Sequence, residues 1–150
     1  MKILAPVDLA ERSSVEQVIG EAVRLAEATS GELTVLTVVP DIVTGIDYRY
    51  AIRGEQGGSQ DFDLKKIVAE ALERLNTVVS ELTPDAMEVA TIARHGTIYE
   101  QVLKVAEELE PDQIIMGAHR PGVADFLLGH NTARVVRHAK CSVNVLRAPE

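Results

Sequence analysis

The chain has 150 residues, 46% hydrophobic and 25% charged, which suits one globular domain over residues 1–150. With 15 basic against 23 acidic residues, the net charge of -8 disfavours non-specific nucleic-acid binding but leaves room for a small anion in a locally positive pocket. Cys141 is the only cysteine, so an intrachain disulfide is excluded, and the residue reads as a small core side chain.

No apolar run approaches the ~20 residues of a membrane span, and MKILAPVD lacks a signal-peptide layout. A soluble, cytoplasmic protein without membrane insertion is the expectation. Aromatics make up 3% and there is no Trp, so the core has to be aliphatic.

KILAPV at 2–7 is a short apolar run ending in turn formers, the pattern of a strand buried on both faces. Ser13 and Glu16 have capping-box spacing, and Val15, Val18, Ile19, Ala22, Leu25 and Ala26 then repeat at helical period, with Gly31 placed to stop the helix. LTVLTVV at 33–39 is β-branched and apolar, a second buried strand. Residues 40–60 show no period and contain Pro40, Gly45, Gly54, Gly57 and Gly58. They read either as a lid or binding segment, in which Tyr48 and Tyr50 could cover a ligand or pack in a dimer, or as a plain surface loop.

Helical spacing returns over 61–82 and ends before Pro84; MEVATIA at 87–93 reads as a strand. Thr97 and Glu100 form a second capping box, opening a helix that Pro111 closes. QIIMG at 113–117 is a fourth strand, a short helix covers about 131–139, and SVNVLR at 142–147 is a fifth strand. Strands alternating with helices predict an α/β fold: a doubly wound, five-stranded parallel sheet with helices on both faces. Ligands of such sheets sit beyond the carboxyl ends of the strands, where strand order reverses.

Three segments fall at those ends: Pro6-Val7-Asp8, Val38-Val39-Pro40, and Gly117 with the loop after it. If the first and fourth strands are neighbours, the first and third segments flank one crevice. Gly117 would let backbone approach a ligand, and the amides near Gly129, His130 and Asn131 open a helix whose dipole favours an anion. His119 and Arg120 could add positive charge there. The alternatives are plain: Asp8 as a loop carboxylate capping the next helix, His130 as a solvent-facing residue at a helix start, and the glycines as ordinary connections.

KILAPVDLAERS, GELTVLTVV, HGTIYEQVLKVAEELEPDQIIMGAH and LLGHNTARVVRHAKCSVNVLR resemble the universal stress protein family over essentially the whole chain. The resemblance implies an adenine-nucleotide alpha-hydrolase-like fold. It also implies an ATP or other adenine-nucleotide site, with or without Mg, built on Gly-x2-Gly-x9-Gly-(Ser/Thr). Carried onto this chain, Asp8 meets adenosine with Pro6 and Val7 lining it. Val38 or Val39 offers backbone to adenine, and Gly117, Gly129, His130 and Asn131 hold ribose and phosphates.

The sequence departs from the motif at two places. Arg120 replaces the second glycine, and Gly129 comes one residue early, with His130 where Ser or Thr is expected. Gly122 can supply the missing flexibility after Pro121, and a family branch with His-Arg-Pro in this loop is similar to the chain and associated with retained nucleotide binding.

Nothing in the sequence assigns a nucleophile or general base: there is no Gly-x4-Gly-Lys-(Ser/Thr) phosphate loop and no Gly-x-Ser-x-Gly. His95 and His138 read as solvent-facing or packed. The function expected is nucleotide binding in stress response or regulation, without efficient catalysis, with a regulatory partner protein that the sequence does not name. The alternatives are slow ATP hydrolysis or autophosphorylation, and a nucleotide-free dimeric signalling module. The final strand, with no Pro or Lys within VNVL, reads as an open sheet edge. The resemblance implies a homodimer in which the two last strands pair antiparallel across a two-fold axis.

Overall fold

A computed structural model describes residues 1–40, 57–118 and 128–147. The elements run β1 (Lys2–Val7), α1 (Arg12–Thr29), β2 (Glu32–Val39), α2 (Gly57–Leu82), β3 (Val89–His95), α3 (Ile98–Leu109), β4 (Gln113–Gly117), α4 (His130–His138) and β5 (Ser142–Leu146). All strand pairs are parallel, in the order β3-β2-β1-β4-β5. The chain builds outward from β1 to β3, then α3 carries it back across β1 to start β4 on the other side. The expected doubly wound sheet is observed, with β1 and β4 as neighbours and β5 at an edge.

The period of two along the strands divides the core. Ile3, Ala5, Val7, Leu33, Val35 and Ile115 face α1 and α2, whereas Leu4, Leu36, Ile114 and Met116 face α3 and α4. Because β1 is covered on both faces, its sequence is apolar at every position from Ile3 to Val7, and every one of those residues is buried.

Four local expectations are corrected. Ser13 does not cap α1: a turn in which the Glu11 amide donates to the Asp8 carbonyl (2.9 Å) starts the helix early, leaving Ser13 inside it. Glu16 pairs instead with Arg12 at 3.0 Å. Gly31 is not the left-handed residue that ends α1. Ser30 is (φ 51°), and the Gly31 amide donates to the Ala26 carbonyl at 2.9 Å in a Schellman arrangement. Gly31 is required for another reason, since a Cβ there would run into the Met1 carbonyl.

α2 begins at Gly57, ahead of the expected position, because Gly57, Gly58, Ser59 and Gln60 include no large apolar residue to reveal a period. β3 starts at Val89 rather than 87 because the Met87 amide closes a turn onto the Pro84 carbonyl (3.0 Å).

Candidate functional site

β1 pairs with β2 along its whole length, Lys2 to Val7, but with β4 only through Ile3–Gln113 and Leu4–Ile114. Beyond those pairs β1 and β4 lack ladder bonds, and their carboxyl ends flank the point where strand order reverses, where ligands of such sheets bind in a crevice. Pro6 and Val7 are buried in β1, Val7 in the core beneath α1. Asp8 follows them and is exposed. One of its carboxylate oxygens accepts from the Ala10 amide at 3.0 Å, an Asx turn that shapes the approach to α1. It is therefore a loop carboxylate at the crevice rather than a helix cap. On β2, the Val39 carbonyl accepts from the Gly96 amide at 3.0 Å, while Val38 packs toward the α3/α4 side.

On the β4 side a Cβ at Gly117 would lie 2.7 Å from Ser14 Oγ, so α1 approaches the end of β4 as closely as a glycine allows. The Gly117 carbonyl accepts from Thr132 Oγ1 at 2.8 Å, and Thr132 is buried. The Ala118 amide donates to the Leu146 carbonyl (2.8 Å), and the Ala118 carbonyl accepts from the Gly129 amide (2.7 Å). These bonds fix where α4 begins relative to β4.

Gly129 is the N-cap residue, and no acidic residue occupies the first turn of α4. The amides of His130, Asn131 and Thr132 stand at the helix start, where no carbonyl one turn earlier in the helix is available to them. Together with the helix dipole, that start suits an anion. His130 is exposed, with its ring edge-on to Tyr99 at 6.1 Å between centroids. Asn131 spends its Oδ1 on the Tyr99 amide (3.1 Å) and so caps α3, whose own N-cap residue, Thr97, makes no side-chain capping bond. The expected Thr97–Glu100 capping box is thus replaced by a cap from the neighbouring helix.

Arg134 lies over the Tyr99 ring at 5.2 Å. Tyr99 therefore joins both helices at the carboxyl end of the sheet, a role its place inside a capping-box pattern concealed. Ser14 and Thr132 were also missed, since neither the contact with Gly117 nor the bond to its carbonyl has a sequence signature.

His119, Arg120 and Gly122 lie outside the described residues, as do Tyr48 and Tyr50. His95 is half-buried and His138 exposed. Cys141 packs against the α3/α4 core, and burial pushes its thiol pKa up, with the Asp112 charge adding to the effect. No group of three or more His, Cys, Asp or Glu placed to hold a metal occurs among the described residues, and none of the described helices is long and apolar enough to cross a membrane.

This sheet order, with β1 and β4 parting at the switch point and α4 anchored to the end of β4, defines a class of α/β proteins with the adenine-nucleotide alpha-hydrolase-like fold. Known proteins narrow the class. The universal stress protein family matches residues 1–147. Universal stress protein G of Escherichia coli O157:H7 is 32% identical over 145 residues, 97% of this chain and 97% of that protein. The solved structure of universal stress protein UspA from Lactobacillus plantarum is 26% identical with a TM-score of 0.65, covering 98% of this chain and 97% of that one. A universal stress protein solved in complex with cAMP shares the fold at 18% identity and a TM-score of 0.60, covering 99% of this chain and 98% of that one. The chain belongs to the universal stress protein family.

Proposed function

We propose that this chain, as one domain over 1–150, binds ATP or another adenine nucleotide, with or without Mg, and acts in stress response or regulation in the cytoplasm. The observation that carries the reading is the parting of β1 from β4 after Leu4 and Ile114, with the start of α4 set beside the opening by Thr132 and Gly129. The cAMP complex of a protein of the same fold supports adenine as the base.

In this reading Asp8, whose second carboxylate oxygen has no partner among the described residues, accepts from the ribose, and Pro6 and Val7 contribute backbone. Val38 or Val39 meets adenine through the main chain; the Val39 carbonyl has one lone pair beyond the bond from Gly96. The phosphates lie against the amides of His130 and Asn131 beside Gly117 and Gly129, and His119, Arg120 and Gly122 complete that end. No residue is assigned to catalysis.

Nucleotide extracted from the purified protein by denaturation and identified by mass spectrometry tests binding. Asp8→Ala should raise the ATP dissociation constant about tenfold, ~1.4 kcal/mol, without changing thermal stability by much. Equal affinity in the two proteins would remove Asp8 from the site. Turnover of labelled ATP, if found, would turn the reading into slow hydrolysis or autophosphorylation.

A second reading, a nucleotide-free dimeric signalling module, is favoured by the internal bonds already made by Asp8, Asn131 and the Gly129 amide. It predicts no nucleotide in the extract and no heat on titration with ATP.

For either reading we propose a homodimer through β5. Val143 packs on the α3/α4 side and Leu146 on the α1 side, so both faces of β5 are in use and the edge offers a partner its backbone. Val145→Pro removes an edge donor and should shift sedimentation toward monomer.

A further inference from the structure

We propose that a second copy of this chain seats its basic α4 in a groove at the amino end of the sheet, on the far side of the molecule from the crevice. The groove, about 870 Å³, lies between the end of α1, the beginnings of β2 and β3, and the turn after α2. Its floor includes Leu33, Met87 and Val89. Its charged lining residues are Glu27, Glu32 and Glu88, and none is basic.

Helix ends reinforce that sign. α1 ends at the groove wall and α2 stops just before Pro84, another lining residue, and neither helix has a basic residue in its last turn. Part of each end is capped, Ala26 and Glu27 by the Gly31 and Ser30 amides and Val79 by Thr83 Oγ1, and the remaining carbonyls add negative potential. Lys2, opposite Glu32 in the register of β1 and β2, forms no ion pair with it among the described residues.

α4 has the complementary character. From Leu128 to Lys140 there is no acidic residue, in a chain whose net charge is -8. Arg134, Val136, Arg137, His138 and Lys140 are all exposed. Arg134 and Lys140 touch Tyr99 and Glu107 but stay solvent-exposed, and Arg137 has no partner among the described residues. Apolar exposure points to the α4 surface as well. Among the described residues the exposed large hydrophobics are Met1 (48%), Val136 (44%) and Leu128 (36%). Val136 and Leu128 belong to α4 and its approach, and the Met1 carbonyl lies against Gly31 in the groove wall.

The groove borders β2 and β3, whereas α4 packs with α3 on the opposite face toward β5, so one molecule cannot fill its own groove. The contact joins two different surfaces of the chain, so repeating it builds a ring or an open chain. Its rim pairs are exposed, so the contact is weak and salt-sensitive: the screening length falls from about 30 Å at 0.01 M to about 3 Å at 1 M salt.

Sedimentation at low and high salt tests this. The wild type should grow in mass with concentration at low salt and return at high salt to a fixed baseline, whether monomer or β5 dimer. Glu32→Lys with Glu88→Lys, and separately Val136→Ser with Arg137→Glu, should each stay at baseline at low salt. Mixing the two should restore association, because the first keeps its α4 and the second keeps its groove. If charge reversal in the groove prevents folding, Glu32→Gln with Glu88→Gln serves in its place.

The proposal is overturned by a wild type whose mass ignores salt, by either variant associating alone as the wild type does, or by a mixture that stays at baseline. Loss of heparin binding by the Arg137 variant with unchanged self-association would assign the basic face to a polyanion and also overturn it.

Discussion

The two faces of the sheet are held in different ways. On the α1/α2 face, long helices bury an aliphatic layer that includes Val15, Val18, Ile19, Ala22, Leu75 and Val79, and polar contacts there are exposed pairs such as Arg12–Glu16 and Arg12–Glu81. On the α3/α4 face the helices are shorter and are tied by specific polar contacts: Asn131 to the Tyr99 amide, Thr132 to the Gly117 carbonyl, and Arg134 over Tyr99. Apolar burial is non-directional and tolerates small adjustments, whereas a hydrogen bond fixes position and angle. Both faces bury apolar residues, and the face that carries the candidate anion site is the one whose helices are in addition positioned by directional bonds.

Substitutions can separate these roles. Leu75→Ala empties a fully buried position beneath α2 and should cost about 2–5 kcal/mol in urea unfolding, with ATP affinity unchanged. If affinity fell with stability, the two faces would not be independent.

Thr132→Val keeps the shape but leaves the Gly117 carbonyl without its donor. It should cost about 1–3 kcal/mol and, unlike the Leu75 change, also weaken ATP binding, because α4 is no longer fixed against β4.

Ser30→Gly should act in the other direction. Ser30 holds a left-handed conformation that glycine adopts without a Cβ clash, so stability should rise by about 0.5–1 kcal/mol with no effect on binding.

The smallest effect concerns Cys141. Its thiol pKa is raised in the folded state, so the folded protein holds that proton more tightly than the unfolded chain does. The resulting stability is present below the unfolded thiol pKa and is lost as pH rises through that value towards the folded one. Cys141→Ala should flatten this alkaline decline, and alkylation of native Cys141 should be slower than that of the urea-unfolded chain.

Most of the fold was legible in the sequence because burial on two faces, or on one, writes itself as a period. The strands at 2–7 and 113–117 match β1 and β4 to the residue, and the apolar spacing of α1 agrees with its buried set of Val15, Val18, Ile19, Ala22 and Ala26. What was not legible depended on contacts between segments distant in the chain. The Thr97 pattern marked the start of α3 correctly, but the cap came from Asn131, over thirty positions later. The glycine at 31 looked like a helix stop, yet it is needed because the first residue of the chain passes close to it. Of the candidate site, Asp8, Gly117, Gly129, His130 and Asn131 are found at the carboxyl end of the sheet, while Ser14, Tyr99 and Thr132, which set the geometry there, carried no signal of their own.

Ala118 offers one further consequence. Its carbonyl accepts from the Gly129 amide, and its own amide is held by Leu146, so the segment between them leaves and rejoins the scaffold across a single hydrogen bond. Closure here rests on Ala118, Gly129 and Leu146, so the length of the loop enters mainly as an entropy cost. Doubling such a loop adds only about 0.6 kcal/mol of closure entropy. A residue inserted or deleted between Ala118 and Gly129 should therefore leave α4 in place, which thermal melting of such a variant would check. The same pair of residues marks where a foreign recognition loop could be spliced into this protein while its sheet stays intact.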